Sequence, residues 1–496
     1  MPVRIVGGGL AGSEAAWQVA TRGVSIMLHE MRPVRPTAVH HTDSLAELVC
    51  SNSFKSDVDG SAPHQLKWEL RRCGSLLISI ADAVRVPAGA ALAVDRERFC
   101  AAVTERISGH PAITVTRMEV GEVPAGQIAV IATGPLTSPF LSRFIEQLTG
   151  EKSLYFYDAI SPIVEADSIS WDHVFQSSRY GRNMAGQAGA GTGDGAGGHV
   201  SQAGRLPSGA QAAAVAFDEG DYINCPMTAG QYRRFYGELI RAESVPVKDF
   251  ERALYFESCL PIEELARRGQ ETLRFGPMKP VGLTDPTTGR QPYAVVQLRQ
   301  ENLIADAYNM VGFQNHLRYG EQERIFRLIP GLERAEFIRL GQIHRNTFVN
   351  APRLLGPTLQ LRRRPEIYFA GQICGVEGYV ESMAMGLVAG WNALRQVCGR
   401  IPVEFPRETA IGSLLHYLTE ANAEHFQPMN INFGLLPALG SGGRKEERRR
   451  RQLEIGRKAL DALIERSEIE DRRSQIEDRK SQIAGCRSQI EDGSSG

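Results

Sequence analysis

Paired cysteines are missing from this sequence. Eight cysteines (Cys50, Cys73, Cys100, Cys225, Cys259, Cys374, Cys398 and Cys486) are scattered through 496 residues without a C-x-x-C pair or zinc spacing. That argues against a dithiol redox motif, a disulfide framework and a metal site. Long apolar runs are missing too: none approaches the roughly 18–20 residues a membrane-spanning helix needs. Charge of one sign is scarce in the sum. With 56 Lys and Arg against 57 Asp and Glu, the net charge is -1, so a nucleic-acid surface would have to be a local patch. No charged-then-apolar leader precedes the first strand, and the expectation is a cytoplasmic protein whose thiols are mostly buried and inert. What the length does allow is two or three domains with a substantial core.

The most informative stretch is the first dozen residues. A β-branched run, Val3 to Val6, stops at Gly7-Gly8-Gly9-Leu10-Ala11-Gly12 and is followed by helix-forming residues. Gly7, Gly9 and Gly12 have the G-x-G-x-x-G spacing. The first allows a sharp turn, the second lets a pyrophosphate approach the backbone, and the third lets helix and strand pack closely. A second apolar run, residues 24–28, ends at Glu30, where an acid meets ribose hydroxyls. Met31, Arg32 and the prolines after them form a loop able to wrap a nucleotide. Strand, turn, helix, strand and acid in that order predict a dinucleotide site.

Farther on, Cys50 lies in a polar stretch, Leu48 to Ser56, where Lys55 is placed to hold a thiolate if the fold brings it near. Residues 65–81 read as a helix. Residues 91–99 pass from a strand into a helix with Asp95 as N-cap. A buried strand then ends in Ala132-Thr133-Gly134, a motif that lies against the flavin nucleotide in two-dinucleotide flavoproteins. From residue 154 the character changes. The expected organisation is a first part of a FAD-binding domain over 1–153, an α+β insertion domain over 154–340 with a Gly/Ala-rich flexible loop at 181–213, and a return to the first domain over 341–442. A charged tail over 443–496 completes it. Within the insertion, Cys225 follows an apparent strand and precedes a helix starting near Thr228, which would favour its thiolate; a buried structural cysteine fits the local sequence as well. His344 and Arg345 stand in an unusually polar stretch. The first domain returns with a strand ending at Gly371-Gln372, then Gly375, Gly378 and Tyr379 opening a small-residue helix aimed at the cofactor. Such a helix N-terminus stabilises negative charge on a reduced flavin ring. The tail begins with a charge run, Arg444 to Arg451, a pattern more often of a solvated helix face than of a binding site. It continues as a seven-residue repeat with one isoleucine per unit, too few for a coiled coil, and is expected to be frayed, weakly helical or disordered.

With these segments in hand, the sequence resembles the folate- and FAD-dependent tRNA (uracil-5-)-methyltransferases. The resemblance rests on residues 5–12, 48–55, 91–99, 154–164, 222–227, 311–317, 344–346 and 371–392, and covers the chain from its start to about Leu436. The Gly/Ala insertion and the heptad tail depart from it. It implies an α/β fold, a FAD-binding Rossmann-like domain of glutathione-reductase type interrupted by a smaller insertion domain. It also implies methylation of the T-loop uridine of tRNA, with methylenetetrahydrofolate as carbon donor and FAD reduced by NADPH or NADH, and no obligatory protein partner. By the resemblance Cys225 is the nucleophile and Cys50 its acid/base partner, with the reverse assignment open. Basic residues such as Arg179, Lys279, Arg345 and the run from Arg448 to Arg451 are candidates for holding phosphates. Three rivals remain: the related flavoprotein that modifies the tRNA wobble uridine with a GTPase partner, a generic NAD(P)H-flavin oxidoreductase, and a flavin-bound RNA-binding protein with structural cysteines.

Overall fold

A computed structural model of the chain describes all residues except Met1, Ala38, 152–153, 182–219, 247–259, 441–443 and 468–496. The Gly/Ala-rich loop and nearly all of the heptad repeat fall in stretches outside the described residues.

The first strand, Val3–Val6, is the centre of a six-stranded sheet. On one side it pairs in parallel with Ile26–Glu30 and then Ile113–Arg117; on the other lie Ala129–Ile131, Arg364–Phe369 and an antiparallel edge, Gln360–Leu361. The order reverses at Val3–Val6. A crevice therefore opens at the carboxyl ends of the central strands, the usual ligand position in doubly wound sheets. Both faces are covered, which is why these strands read as unbroken apolar runs rather than alternating ones. The first helix, Leu10–Ala20, lies against the long helix Tyr379–Val397. Their close approach depends on small residues: a Cβ on Gly386 would come within 2.3 Å of the Ala11 carbonyl oxygen, and one on Gly390 within 2.8 Å of that of Ala15.

Described residues between 164 and 337 form a second apolar core on an antiparallel sheet ordered Phe175–Gln176, Tyr222–Met227, Ala294–Gln300, Ala307–Met310, Ile163–Glu165 and Phe337–Arg339. A two-stranded ribbon, Leu154–Ala159 against Ile343–Phe348, carries the chain into and out of this part.

Three expectations need correction. The helix expected over 65–81 is two helices, Ala62–Arg72 and Leu76–Ala83. Gly74, at φ +73°, breaks the run and Ser75 caps the second helix through the Ile78 N–H. The tail from 443, expected to be disordered or weakly helical, begins with a packed helix over 445–467. Leu453, Leu460, Leu463 and Ile464 are buried, the last three in the first core, and Arg457 reaches Asp59 at 2.9 Å and lies over Trp68. Four apolar residues on one face supply its burial. The third correction concerns Cys225 and belongs to the site.

A short three-stranded sheet, Ser53–Ser56, Ala91–Val94 and Arg85–Val86, supports the loop that carries Cys50. Asp57 anchors it. Its carboxylate meets Arg85 at 2.7 Å, His64 at 3.4 Å, Arg71 at 3.5 Å and Lys67 at 3.8 Å, while Lys67 Nζ donates to the Phe54 and Ser56 carbonyls. Burial by itself would raise the Asp57 carboxyl, but the His64 hydrogen bond and the Arg71, Lys67 and Arg85 charges hold it well below the ordinary carboxylate range. A depressed folded value means the stabilisation is complete above the unfolded value of 3.8 and is lost as pH falls through the folded one. Asp57→Asn is expected to cost about 3 kcal/mol at neutral pH by leaving buried cations unpaired. It should also flatten the acid limb of stability. Urea unfolding from pH 7 down to pH 2 measures both; an unchanged acid limb would assign the slope to other carboxylates.

Candidate active site

The crevice at the switch point encloses about 1020 Å³ including its open mouth. Of the residues expected at a dinucleotide, Gly7, Gly9, Leu10, Ala11, Glu30, Arg32, Ala132, Thr133, Gly134, Gly371, Gln372 and Tyr379 line it. Gly8, Gly12, Gly375 and Gly378 stand behind the wall, each with a structural task. Gly8 donates its N–H to Glu30 Oε2 at 2.9 Å. Gly12 touches the turn so closely that a Cβ there would lie 1.8 Å from the Gly7 carbonyl oxygen. Gly375 holds a left-handed conformation beneath Phe426, and Gly378 is the N-cap of the helix Tyr379–Val397.

Gly9 differs from its neighbours. A Cβ built on it meets nothing within 4 Å. It caps the first helix without any side-chain hydrogen bond, and no acid occupies that helix's first turn. Bare backbone N–H groups and a positive helix end thus face open space, the arrangement a pyrophosphate takes. Glu30 is nearly buried, and desolvation alone would raise its carboxyl; the adjacent Arg32 guanidinium, at 2.9 Å, outweighs this and pulls it below the usual range. It is therefore an ionised acceptor, suited to a pair of ribose hydroxyls.

Sequence reasoning missed one residue here. His29 is buried beside Glu30, lines the crevice, and neither ring nitrogen has a hydrogen-bond partner. Burial and the charge of Arg4 push its imidazole below the ordinary value, toward the neutral form. An embedded polar residue directly before the acid was the available signal.

Cys50 lies next to this crevice. The Tyr379 hydroxyl, which opens the helix aimed at the crevice, accepts the N–H groups of Cys50 at 2.9 Å and Ser51 at 3.1 Å. Arg339 donates to the carbonyls of Val49 and Cys50 at 3.0 and 3.2 Å. Burial and the neighbouring Arg96 push the Arg339 guanidinium down to about 10. Arg96 donates to the Leu48 carbonyl and pairs with Glu301. From the second sheet, Arg299 holds Asn52 at 2.9 Å and Ser51 at 2.8 Å. The Cys50 loop is therefore clamped by two strands of the second sheet and by two helix starts, with its thiol half-buried. Lys55 does not serve it: its ammonium is held by Glu381 at 2.9 Å and Asn430 at 2.8 Å. Lys55 adopts φ +64° with its side chain on the long helix, and the cations beside the cysteine loop are Arg96, Arg299 and Arg339.

Cys225 is elsewhere. It sits inside the strand Tyr222–Met227, not at a helix start; the next helix begins at Ala229 with Thr228 as its cap. Alternation along a strand decides which way it points. Its neighbour Asn224 joins Gln297, on the face from which Arg299 reaches the Cys50 loop. Cys225 takes the opposite face with Ile223 and Met227, fully buried in the second core. Burial, and secondarily the Glu333 charge, push its thiol far up. The expected helix-end stabilisation of a thiolate is absent. Of the phosphate-binding candidates, Arg179 is tied to Gln297 at 2.9 Å, and the side chains of His344 and Arg345 lie outside what the structure describes. Among the described residues no group of three or more His, Cys, Asp or Glu could hold a metal, and no helix is long and apolar enough to cross a membrane.

Sheet order, glycine turn and acid together define a FAD-binding Rossmann-like fold of glutathione-reductase type. The family model described as Glucose inhibited division protein A matches residues 2–189 and 210–400. Two crystal structures of Aquifex aeolicus GidA share this fold, with a TM-score of 0.61 and 17% identity over 92% of this chain; the match covers 73% and 76% of those longer chains. Much nearer in sequence are proteins named methylenetetrahydrofolate–tRNA-(uracil-5-)-methyltransferase TrmFO. That of Koribacter versatilis is 53% identical over 95% of this chain and 99% of its own length. That of Heliobacterium modesticaldum is 52% identical over 93% and 97%, and that of Geobacter sulfurreducens 53% over 92% and 98%. The chain belongs to this methyltransferase family.

Proposed function

We propose that this protein forms 5-methyluridine in the T-loop of tRNA, taking the carbon from methylenetetrahydrofolate, with FAD in the crevice and NADPH or NADH as reductant. The bare helix end at Gly9 carries the FAD reading. Gly7, Gly9, Leu10 and Ala11 would hold the pyrophosphate, Glu30 the ribose, and Ala132 to Gly134 with Gly371 and Gln372 the flavin half. When bound, the flavin supplies electrons to the one-carbon unit.

Carbon 5 of uracil is a weak nucleophile until a group adds at carbon 6. A thiolate is suited to that addition, and elimination of the thiolate follows once the carbon 5 proton is removed. Cys50 is the cysteine we assign to this step, because it adjoins the crevice at Tyr379 while Cys225 faces a closed core. The target base must leave the folded loop to reach it. The relatives favour this reading over the wobble-uridine flavoprotein: proteins named for the methyltransferase are 52–53% identical to this chain over nearly their whole length.

The test is a one-carbon transfer assay. Purified protein, unmodified tRNA, NADPH and methylene-labelled methylenetetrahydrofolate are combined without S-adenosylmethionine, and the RNA is digested to nucleosides. Label should appear in 5-methyluridine. Unlabelled RNA from a yellow protein that oxidises NADPH would leave only a flavin oxidoreductase.

A further inference from the structure

The helix over 445–467 docks by one face and turns the other to solvent. Its buried side carries Leu453, Leu460 and Leu463, and the Asp461 carboxylate meets Arg72 at 2.7 Å. On the opposite side, at steps of three and four residues, come Arg448, Arg451, Ile455, Lys458, Ala462 and Arg466, with Arg444 at the head. Steps of three and four put residues on one helical face. This stripe holds five basic residues; Glu447, whose carboxylate accepts the Arg444 N–H at 3.2 Å, and Glu465 border it along one edge, and Glu446 and Glu454 lie farther round. At 1.5 Å per residue it runs about 33 Å. In a chain whose net charge is -1, so pure a line of positive charge stands out.

Its position matters as much. At the helix start, Arg449 stacks on Phe433 at 4.5 Å and Gln452 donates to the Pro437 carbonyl at 2.9 Å. A few residues back, Asn430 holds Lys55, and the Ile431 N–H donates to Glu381 in the first turn of the helix that Tyr379 opens. The stripe therefore starts beside the segment that borders the Cys50 loop. We propose that the outward face of helix 445–467 is the docking surface for the tRNA phosphate backbone, aligning the RNA so that its target base reaches the crevice. A membrane surface would call for apolar residues along the same stripe, and only Ile455 and Ala462 are there. The proposal rests on tRNA being the substrate.

The test is the triple variant Arg444→Gln/Arg451→Gln/Lys458→Gln, with tRNA binding followed by fluorescence anisotropy from 50 to 300 mM salt. We expect affinity to fall at least about tenfold at 150 mM salt and the log–log salt slope to flatten by about one for each phosphate no longer neutralised. KM for tRNA should rise alike, with kcat, flavin content and melting temperature little changed. Arg444→Lys/Arg451→Lys should bind like wild type, since a phosphate needs only the charge. Affinity within twofold of wild type with an unchanged slope overturns the proposal. So does a lowered melting temperature shared by the Lys variant, which would make these residues clasps for the helix. Wild-type protein that binds tRNA through this stripe yet transfers no methyl group would sink the methyltransferase reading alone.

Discussion

Cys50→Ala is expected to remove methyl transfer almost completely, by at least about 1000-fold, while Cys225→Ala keeps most of it. The loss at Cys50 is the loss of the group that adds to carbon 6, for which no neighbouring side chain can substitute: the groups clamping its loop are Tyr379, Arg339, Arg96 and Arg299, none a nucleophile of thiolate strength. The Cys50 loop should survive the change, because most of the hydrogen bonds that clamp it use the backbone, Ser51 and Asn52, and the sulfur adds only a long contact to the Ala159 carbonyl at 3.8 Å. Cys225 lies in a closed core, so removing its sulfur leaves a small cavity and costs about 1–2 kcal/mol of stability. Label transfer into tRNA and urea unfolding, run on both variants, separate the roles. An inactive Cys225→Ala protein of normal stability would return the nucleophile to Cys225 and require the second sheet to open during turnover.

The second large effect belongs to the glycine turn, where two Gly→Ala changes three residues apart should behave oppositely. At Gly12 the added methyl would lie 1.8 Å from the Gly7 carbonyl oxygen. The helix would have to move off the strand, and we expect a loss of about 3 kcal/mol or more with failure to retain flavin. At Gly9 the methyl meets no protein atom within 4 Å, so the unliganded fold should lose a few tenths of a kcal/mol at most. It does point into the space reserved for phosphate, and flavin affinity should fall about 100-fold by steric exclusion from the helix end. Flavin absorbance after purification and titration of the apoprotein with FAD read the two effects separately. A Gly9→Ala protein that binds FAD normally would mean the phosphates lie elsewhere.

Local pattern made the first βαβ unit legible. Val3 to Val6, three spaced glycines, a helix and Glu30 each have a short-range physical cause, and the Asp95 cap and the Ala-Thr-Gly strand end follow the same logic. Where local signals misled, distant contacts had outweighed them. The helix over 445–467 forms because apolar residues on one of its faces found a surface on the first core, which no window of its own sequence displays. Lys55, close to Cys50 in sequence, is drawn away by Glu381, far along the chain. His29 went unnoticed because a lone histidine carries no periodicity.

The sequence by itself determined the cofactor fold, the dinucleotide turn and the presence of two cysteines in segments shared with the methyltransferase family. Only the tertiary structure set the surroundings of those cysteines apart. Strand parity turns Cys225 to the closed side of its sheet, while the Cys50 N–H donates to Tyr379 and its carbonyl accepts from Arg339, holding that backbone at the crevice. Residue type and spacing cannot distinguish the two, because burial and charge at a thiol are set by neighbours that meet only when the chain folds.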